Sequence, residues 1–206
     1  MTIAAGDALS LLEWKRRVFD LYARVRAERD SEAAHDLWVN TRHELFTTHE
    51  QSPIPAGDRA RYLGRYFPYD PAFRTVAEVT ATEPRSYEIA TSGTETMRFT
   101  RIGRATFALD GTAMSLEIYW LDAYGGGLFV PFRDETSGDR TYGAGRYLLD
   151  TVKGADLGMD GDKLALDFNF AYNPSCAYDP RWVCPLAPPA NRLDIAIGAG
   201  EKTPAP

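Results

Sequence analysis

The sequence predicts an α+β fold: two N-terminal helices followed by a mainly antiparallel β meander that forms a sandwich or partial barrel. Three observations carry this expectation. Apolar residues recur at helical spacing to about residue 46, and after the loop HEQSPIPAGDRARYLGRYFPYDPAF the pattern changes to alternation. The alternating segments are short, sit at hairpin spacing and do not alternate with helices, which argues against a parallel α/β sheet. The 206 residues are 44% hydrophobic and 25% charged, enough to bury a core. A single domain over 1–206 is expected, with a helical segment 1–48, a β-rich core 66–201 and a frayed tail 202–206.

In the first helix, Ser10-Leu11-Leu12-Glu13 has the form of a capping box, with Leu9 and Trp14 placed as a hydrophobic staple. Leu11, Trp14, Val18, Leu21, Tyr22 and Val25 then form one apolar stripe. Asp30 or Ser31 caps a second helix with Leu37, Trp38, Thr41 and Leu45 on its inner face, and it must stop before Pro53. Strands are expected from Phe73 to Val79, around Thr96 to Thr100, and from Ala105 to Leu109. Asp110-Gly111 suits a type I′ hairpin turn, because both central residues need positive φ. Met114, Leu116, Ile118 and Trp120 line one face of the next strand, opposite Ser115, Glu117 and Tyr119. Gly125-Gly126-Gly127 turns into Leu128-Phe129-Val130. The remaining candidates are Arg146–Leu149, Leu164–Phe168 and Leu193–Ile197, where LDIAI alternates cleanly. Between the last two, NFAYNPSCAYDPRWVC and the prolines after it read as a rigid clasp, since proline fixes φ.

A net charge of −6 opposes binding to a phosphate backbone, so no nucleic acid is expected as a partner. The basic run at residues 15–29 is interrupted by Asp20 and Glu28 and reads as a solvated helix face. The start has no basic region ahead of an apolar stretch, and no run of roughly 18 apolar residues exists to span a membrane. No membrane partner and a cytoplasmic location are the expectations, with Cys176 and Cys184 reduced.

Both cysteines, with His35, His43 and His49, carry zinc-type donors but lack close C-x₂₋₄-C pairing, so neither a metal nor a cofactor is expected. Cys176 as a nucleophile needs a base, and His43 and His49 are the candidates. In PFRDETSGDRTYGAGRYL, hydroxyls and glycines suit an anion nest, and Arg133, Arg140 and Arg146 suit a carboxylate or phosphate. Neither a P-loop nor a dinucleotide fingerprint is present. Asp134 and Asp167, at strand ends, are the carboxylates available for acid/base work.

The stretch DFNFAYNPSCAYDPRWVCPLAPPANRL resembles the bacterial family catalogued as domain of unknown function 1684. RHELFTTHEQSPIP, VPFRDETSGDRTYGAGRYL and the ending NRLDIAIGAGE agree with that resemblance. It implies membership and no catalytic residues. The motif-bearing positions are Arg42, Glu44, His49, Asp134, Tyr142, Gly143, Arg146, Asp167, Asn169, Tyr172, Asn173, Cys176, Tyr178, Cys184 and Asn191. The functional expectation is a small-molecule site in the β-rich core, walled by Tyr142, Arg146, Tyr172, Tyr178 and Trp182. Arg146 would pair with an anionic ligand, and Asn169 or Asn173 would orient it. Two alternatives stand beside this. One is a hydrolase or transferase using Cys176 with His43 or His49, or Asp134 as base. The other is an interaction module whose N-terminal helix docks on a partner or on a second copy, giving a homo-oligomer.

Overall fold

The computed structural model describes residues 4–122 and 124–205. Two helices, α1 (Ala5–Ala27) and α2 (Ser31–Thr48), precede seven strands. These are β1 (Arg74–Ala90), β2 (Thr96–Leu109), β3 (Thr112–Leu121), β4 (Leu128–Phe132), β5 (Arg146–Asp150), β6 (Met159–Asp160) and β7 (Lys163–Asp167). They form one antiparallel sheet in the order β5-β4-β3-β2-β1-β7-β6. Beyond β7 the chain makes a 3₁₀ turn, and Tyr172 exchanges both backbone hydrogen bonds with Tyr147 of β5. The chain beyond β7 is thereby carried to β5 at the opposite edge, and the sheet curls into a partial barrel.

Helix α1 begins at Ala5, with Ala4 in the N-cap position, so Ser10 lies inside the helix and the capping box does not form. Asp7 in the first turn suits the positive end of the helix dipole instead. Asp30 does cap α2, accepting from the Glu32 and Ala33 amides. The stripe on α1 turns inward: Leu21, Tyr22 and Val25 are buried with Trp38, whose Nε1 donates to Tyr22 Oη at 3.0 Å. Leu11, Trp14 and Val18, earlier on the same stripe, are only half-buried.

Strand parity changes at a bulge. Phe99, before the register shift between Arg101 and Gly103, joins the helix-facing core with Ile89, Phe129 and Tyr147. Ala105, Phe107 and Leu109, also odd-numbered, lie beyond the shift and face the other core with Val130, Phe132 and Leu148. One extra residue flips every later side chain to the opposite face. With both faces covered, all five residues of β5 are buried. The same double cover buries Glu117 and Tyr119, while Trp120, expected inside, is 41% exposed. Asp110 and Gly111 take φ of 47° and 73°, the conformation that the hairpin turn between β2 and β3 requires.

Leu193–Ile197 is not a strand. Burial alternates there as the sequence pattern demands, with Leu193 and Ile197 inside. Its hydrogen bonds, however, go to a loop and to a side chain. Leu193 N donates to Arg133 O, and Glu135 N donates to Ile195 O. The carbonyls of Ile197, Ala199 and Glu201 accept from the Arg146 guanidinium. The tail expected to fray is anchored at its start: Lys202 N donates to Arg65 O, and Thr203 N to Arg140 O. No helix of the described residues is long and apolar enough to cross a membrane.

Candidate functional site

The proline-rich segment after Cys184 folds over the sheet and roofs an open groove of about 570 Å³. Its floor is Tyr87 to Ala90 of β1 with Glu117 and Tyr119 of β3, and its roof is Leu186 to Ala190. Ala144 and Arg133 complete the wall. A proline makes the opening. Pro131 in β4 has no N–H to give to a ladder, and β3 pairs with β4 only through Tyr119 and Trp120. Asn191 fills the gap with its side chain. Its Oδ1 accepts from Glu117 N, and its Nδ2 donates to the carbonyls of Glu117 and Pro131. The roof is thus pinned to the sheet by a fully buried amide.

The groove is mainly apolar, with three charged groups, Glu88, Glu117 and Arg133. The Glu117 carboxylate accepts from Tyr119 Oη at 2.7 Å and pairs with Arg101 at 3.1 Å. Burial first, and then the bond to Glu117, push the Tyr119 hydroxyl well above its ordinary pKa, so it remains a donor. Arg133 is held at its backbone by Asn191 O and Leu193 N. Its Nε is buried without a partner, and its guanidinium makes no ion pair among the described residues.

None of the seven expected ligand-binding residues lines this groove. Arg146 is 1% exposed and grips Asp134 at 2.7 Å as well as the three carbonyls of the C-terminal segment. All four of its Nη donors are engaged, and Asp134, which also accepts from the Thr136 amide and hydroxyl, is not free to act as a base. Asn169 joins Asp70 to Asp167. Tyr172 donates to Asp150 at 3.3 Å and lies under the Arg42 guanidinium. Asn173 donates its backbone N–H to Glu201 and its side chain to Lys202 O. Tyr178 packs edge-on against Phe46 and Tyr62, and Trp182 lies beneath Arg181. The expected anion nest is closed, because the amides of Asp139, Arg140 and Thr141 all donate to Thr136 O.

The histidines do not reach Cys176. His49 Nε2 meets Glu13, its Nδ1 accepts from Gln51 N, and its ring packs on Trp14. His43 is exposed and stacks on Tyr62. His35 is buried among Trp38, Tyr69 and Phe170, and burial pushes its pKa down. What Cys176 does meet is Tyr142, whose Oη donates to Sγ at 3.6 Å, and the Cys184 thiol. Among the described residues no three His, Cys, Asp or Glu side chains gather as a metal site.

Sequence reasoning named Arg133 but missed Glu117, Tyr119, Tyr87 and the role of Asn191. Two signals were present: a glutamate inside the apolar run MSLEIYWL, and a proline inside the strand LFVPF.

An uncharacterized protein of Haloarcula marismortui, known from a solution NMR structure, is similar to this chain. The two are 39% identical with a TM-score of 0.60, over 84% of this chain and 94% of that one. Among curated proteins there is no match. Residues 64–202, which include Arg133, the groove floor and the whole clasp, match a family model described as "Protein of unknown function (DUF1684)". The chain belongs to that family.

Proposed function

We propose that the groove binds a small amphipathic molecule with an apolar body and a carboxylate or similar anionic head. One observation carries this: Arg133 lines a mainly apolar groove with its backbone fixed and its guanidinium unpaired. A guanidinium beside low-dielectric walls attracts a planar anion strongly, and a bidentate pair is the natural complement. Ile89, Ala90, Leu186, Ala187 and Pro188 would cover the body. The two glutamates do not oppose this, since Arg101 at 3.1 Å and Arg104 at 3.8 Å offset Glu117, and Arg98 at 3.2 Å pairs with Glu88.

Thermal shift with octanoate and 3-phenylpropionate, each beside its neutral amide, tests the reading. The acids are expected to stabilise the protein more than the amides. Arg133→Met should weaken acid binding by roughly 10- to 100-fold, the value of one charge-assisted pair. Ala190→Trp, which fills the groove from its exposed rim, should abolish binding of both. Acid binding that survives unchanged in Arg133→Met overturns the proposal.

A further inference from the structure

The two cysteines of the clasp are neighbours. Cys176 sits half-buried in the 3₁₀ turn Ser175–Ala177, and Cys184 is buried beside the turn between β1 and β2. Both are free thiols. The intervening chain doubles back on Asp179, which accepts the amide of Arg181 at its side chain and that of Trp182 at its carbonyl. Ser92 anchors the far end, accepting from Cys184 N at 3.0 Å while its hydroxyl donates to Trp182 O and its amide to Cys184 O. Tyr142 approaches from the other side and donates to Cys176 Sγ at 3.6 Å.

We propose that Cys176 and Cys184 form a redox-active dithiol that a hydroperoxide oxidises to a reversible disulfide. A structural buried thiol sits among apolar groups and is inert. Here the two thiols are neighbours, a tyrosine hydroxyl donates to one of them at 3.6 Å, and that sulfur is only half-buried. The hydrogen bond from Cys184 and the Ser92 and Tyr142 hydroxyls lower the Cys176 pKa to about 6 against the opposing effect of burial, while Cys184 is raised. Cys176, half-buried and accepting from Tyr142, is the attacking sulfur, and the buried Cys184 is the resolving one.

The chemistry balances with a hydroperoxide as oxidant. The Cys176 thiolate attacks one peroxide oxygen, forming an S–O bond and breaking the O–O bond. The departing hydroxide or alkoxide takes a proton and leaves as water or alcohol. Cys184 then attacks the sulfenic sulfur, forming the S–S bond and breaking S–O. The released hydroxide takes the Cys184 proton and leaves as a second water. The thiol pair loses two electrons and the peroxide gains them. A dithiol reductant reverses the step by exchange.

The test uses the full chain, reduced and then treated with stoichiometric hydrogen peroxide under native conditions. Trypsin cuts after Arg181, between the two cysteines, so a disulfide keeps the two flanking peptides joined. The linked pair is expected at two hydrogens below the summed mass, and dithiothreitol should separate it. Cys184→Ser should stop at a sulfenic acid on Cys176 that dimedone traps, whereas Cys176→Ser should leave Cys184 reduced. Tyr142→Phe should slow Cys176 oxidation about tenfold without changing the product. The wild-type chain unfolded in urea serves as a fold-independent comparison, and Cys176 in the folded chain should react at least tenfold faster. Equal rates folded and unfolded overturn the proposal. So does oxidation of Cys184 in Cys176→Ser, or a folded wild-type protein in which both thiols stay reduced.

Discussion

Asp167 shows what a single buried carboxyl does to this protein. It is buried beneath the 3₁₀ turn and accepts the amide and side chain of Asn169 at Oδ1. Burial outweighs these bonds and raises its pKa from 3.8 to about 6. Below about pH 4, folded and unfolded chains both hold this proton, and between about 4 and 6 only the folded chain keeps it. Above that window the fold carries a desolvated carboxylate. Stability from this group is therefore lost as pH rises from about 4 to 6, by about 3 kcal/mol at roughly 1.36 kcal/mol per unit. Asp167→Asn retains an acceptor and removes the titration. Urea melts at pH 4 and 7 should show the variant gaining that amount on wild type at the higher pH. An unchanged difference between the two proteins rejects the assignment. The sequence of the Arg133 loop offered three arginines and no way to choose among them. Their fates depend on distant partners: Arg146 meets a carbonyl row some 50 residues on, Arg140 lies exposed over Phe67, and Arg133 lines the groove without a charged partner among the described residues.

Among the elements, the segment from Leu193 to Glu201 has the side-chain pattern of a strand without a strand beside it. Periodicity reports burial, and burial here is real; it does not report which groups satisfy the backbone. A guanidinium with several donors takes the place of a neighbouring strand for Ile197, Ala199 and Glu201. Arg146→Met should thus cost about 3–5 kcal/mol in a urea melt, because Asp134 is left as an unpaired buried charge and the carbonyls lose their donor. Adding Asp134→Asn should recover part of that loss, and a single variant within about 0.5 kcal/mol of wild type would show the bracket to be dispensable. The helices and the β2–β3 hairpin were legible because helical spacing, the Asp30 cap and Asp-Gly are local signals. The start of α1 was misread for a complementary reason. Ser10 and Glu13 satisfy a local motif, but the residues before them extend the helix by another turn and more. The groove was illegible because Glu117 and Asn191 meet across 74 residues.

On the scale of the whole molecule, Glu201 joins the parts. Its carboxylate accepts from Arg42 of α2 at 2.8 Å, from Tyr66 Oη at 3.1 Å and from Asn173 N at 2.6 Å, while its carbonyl accepts from Arg146. The Arg42 guanidinium lies among the rings of Trp38, Phe46 and Tyr172, so helix, clasp and C-terminal segment share one ionic and aromatic junction. A chain ending at Gly198 loses Ala199, Glu201 and both their carbonyls, and is expected to show no cooperative urea transition by near-ultraviolet circular dichroism. A chain ending at Thr203 keeps every one of these bonds and should melt within about 0.5 kcal/mol of the full protein.

That junction also sets the order of events during synthesis. Both helices and every strand of the sheet are synthesised before residues 197–201. Until then Arg146 and Asp134 have no carbonyl row to bury against, and Arg42 has no carboxylate. The nascent chain can hold helices and hairpins, but closure waits for residues 197–201, so that segment acts as the timer of the fold.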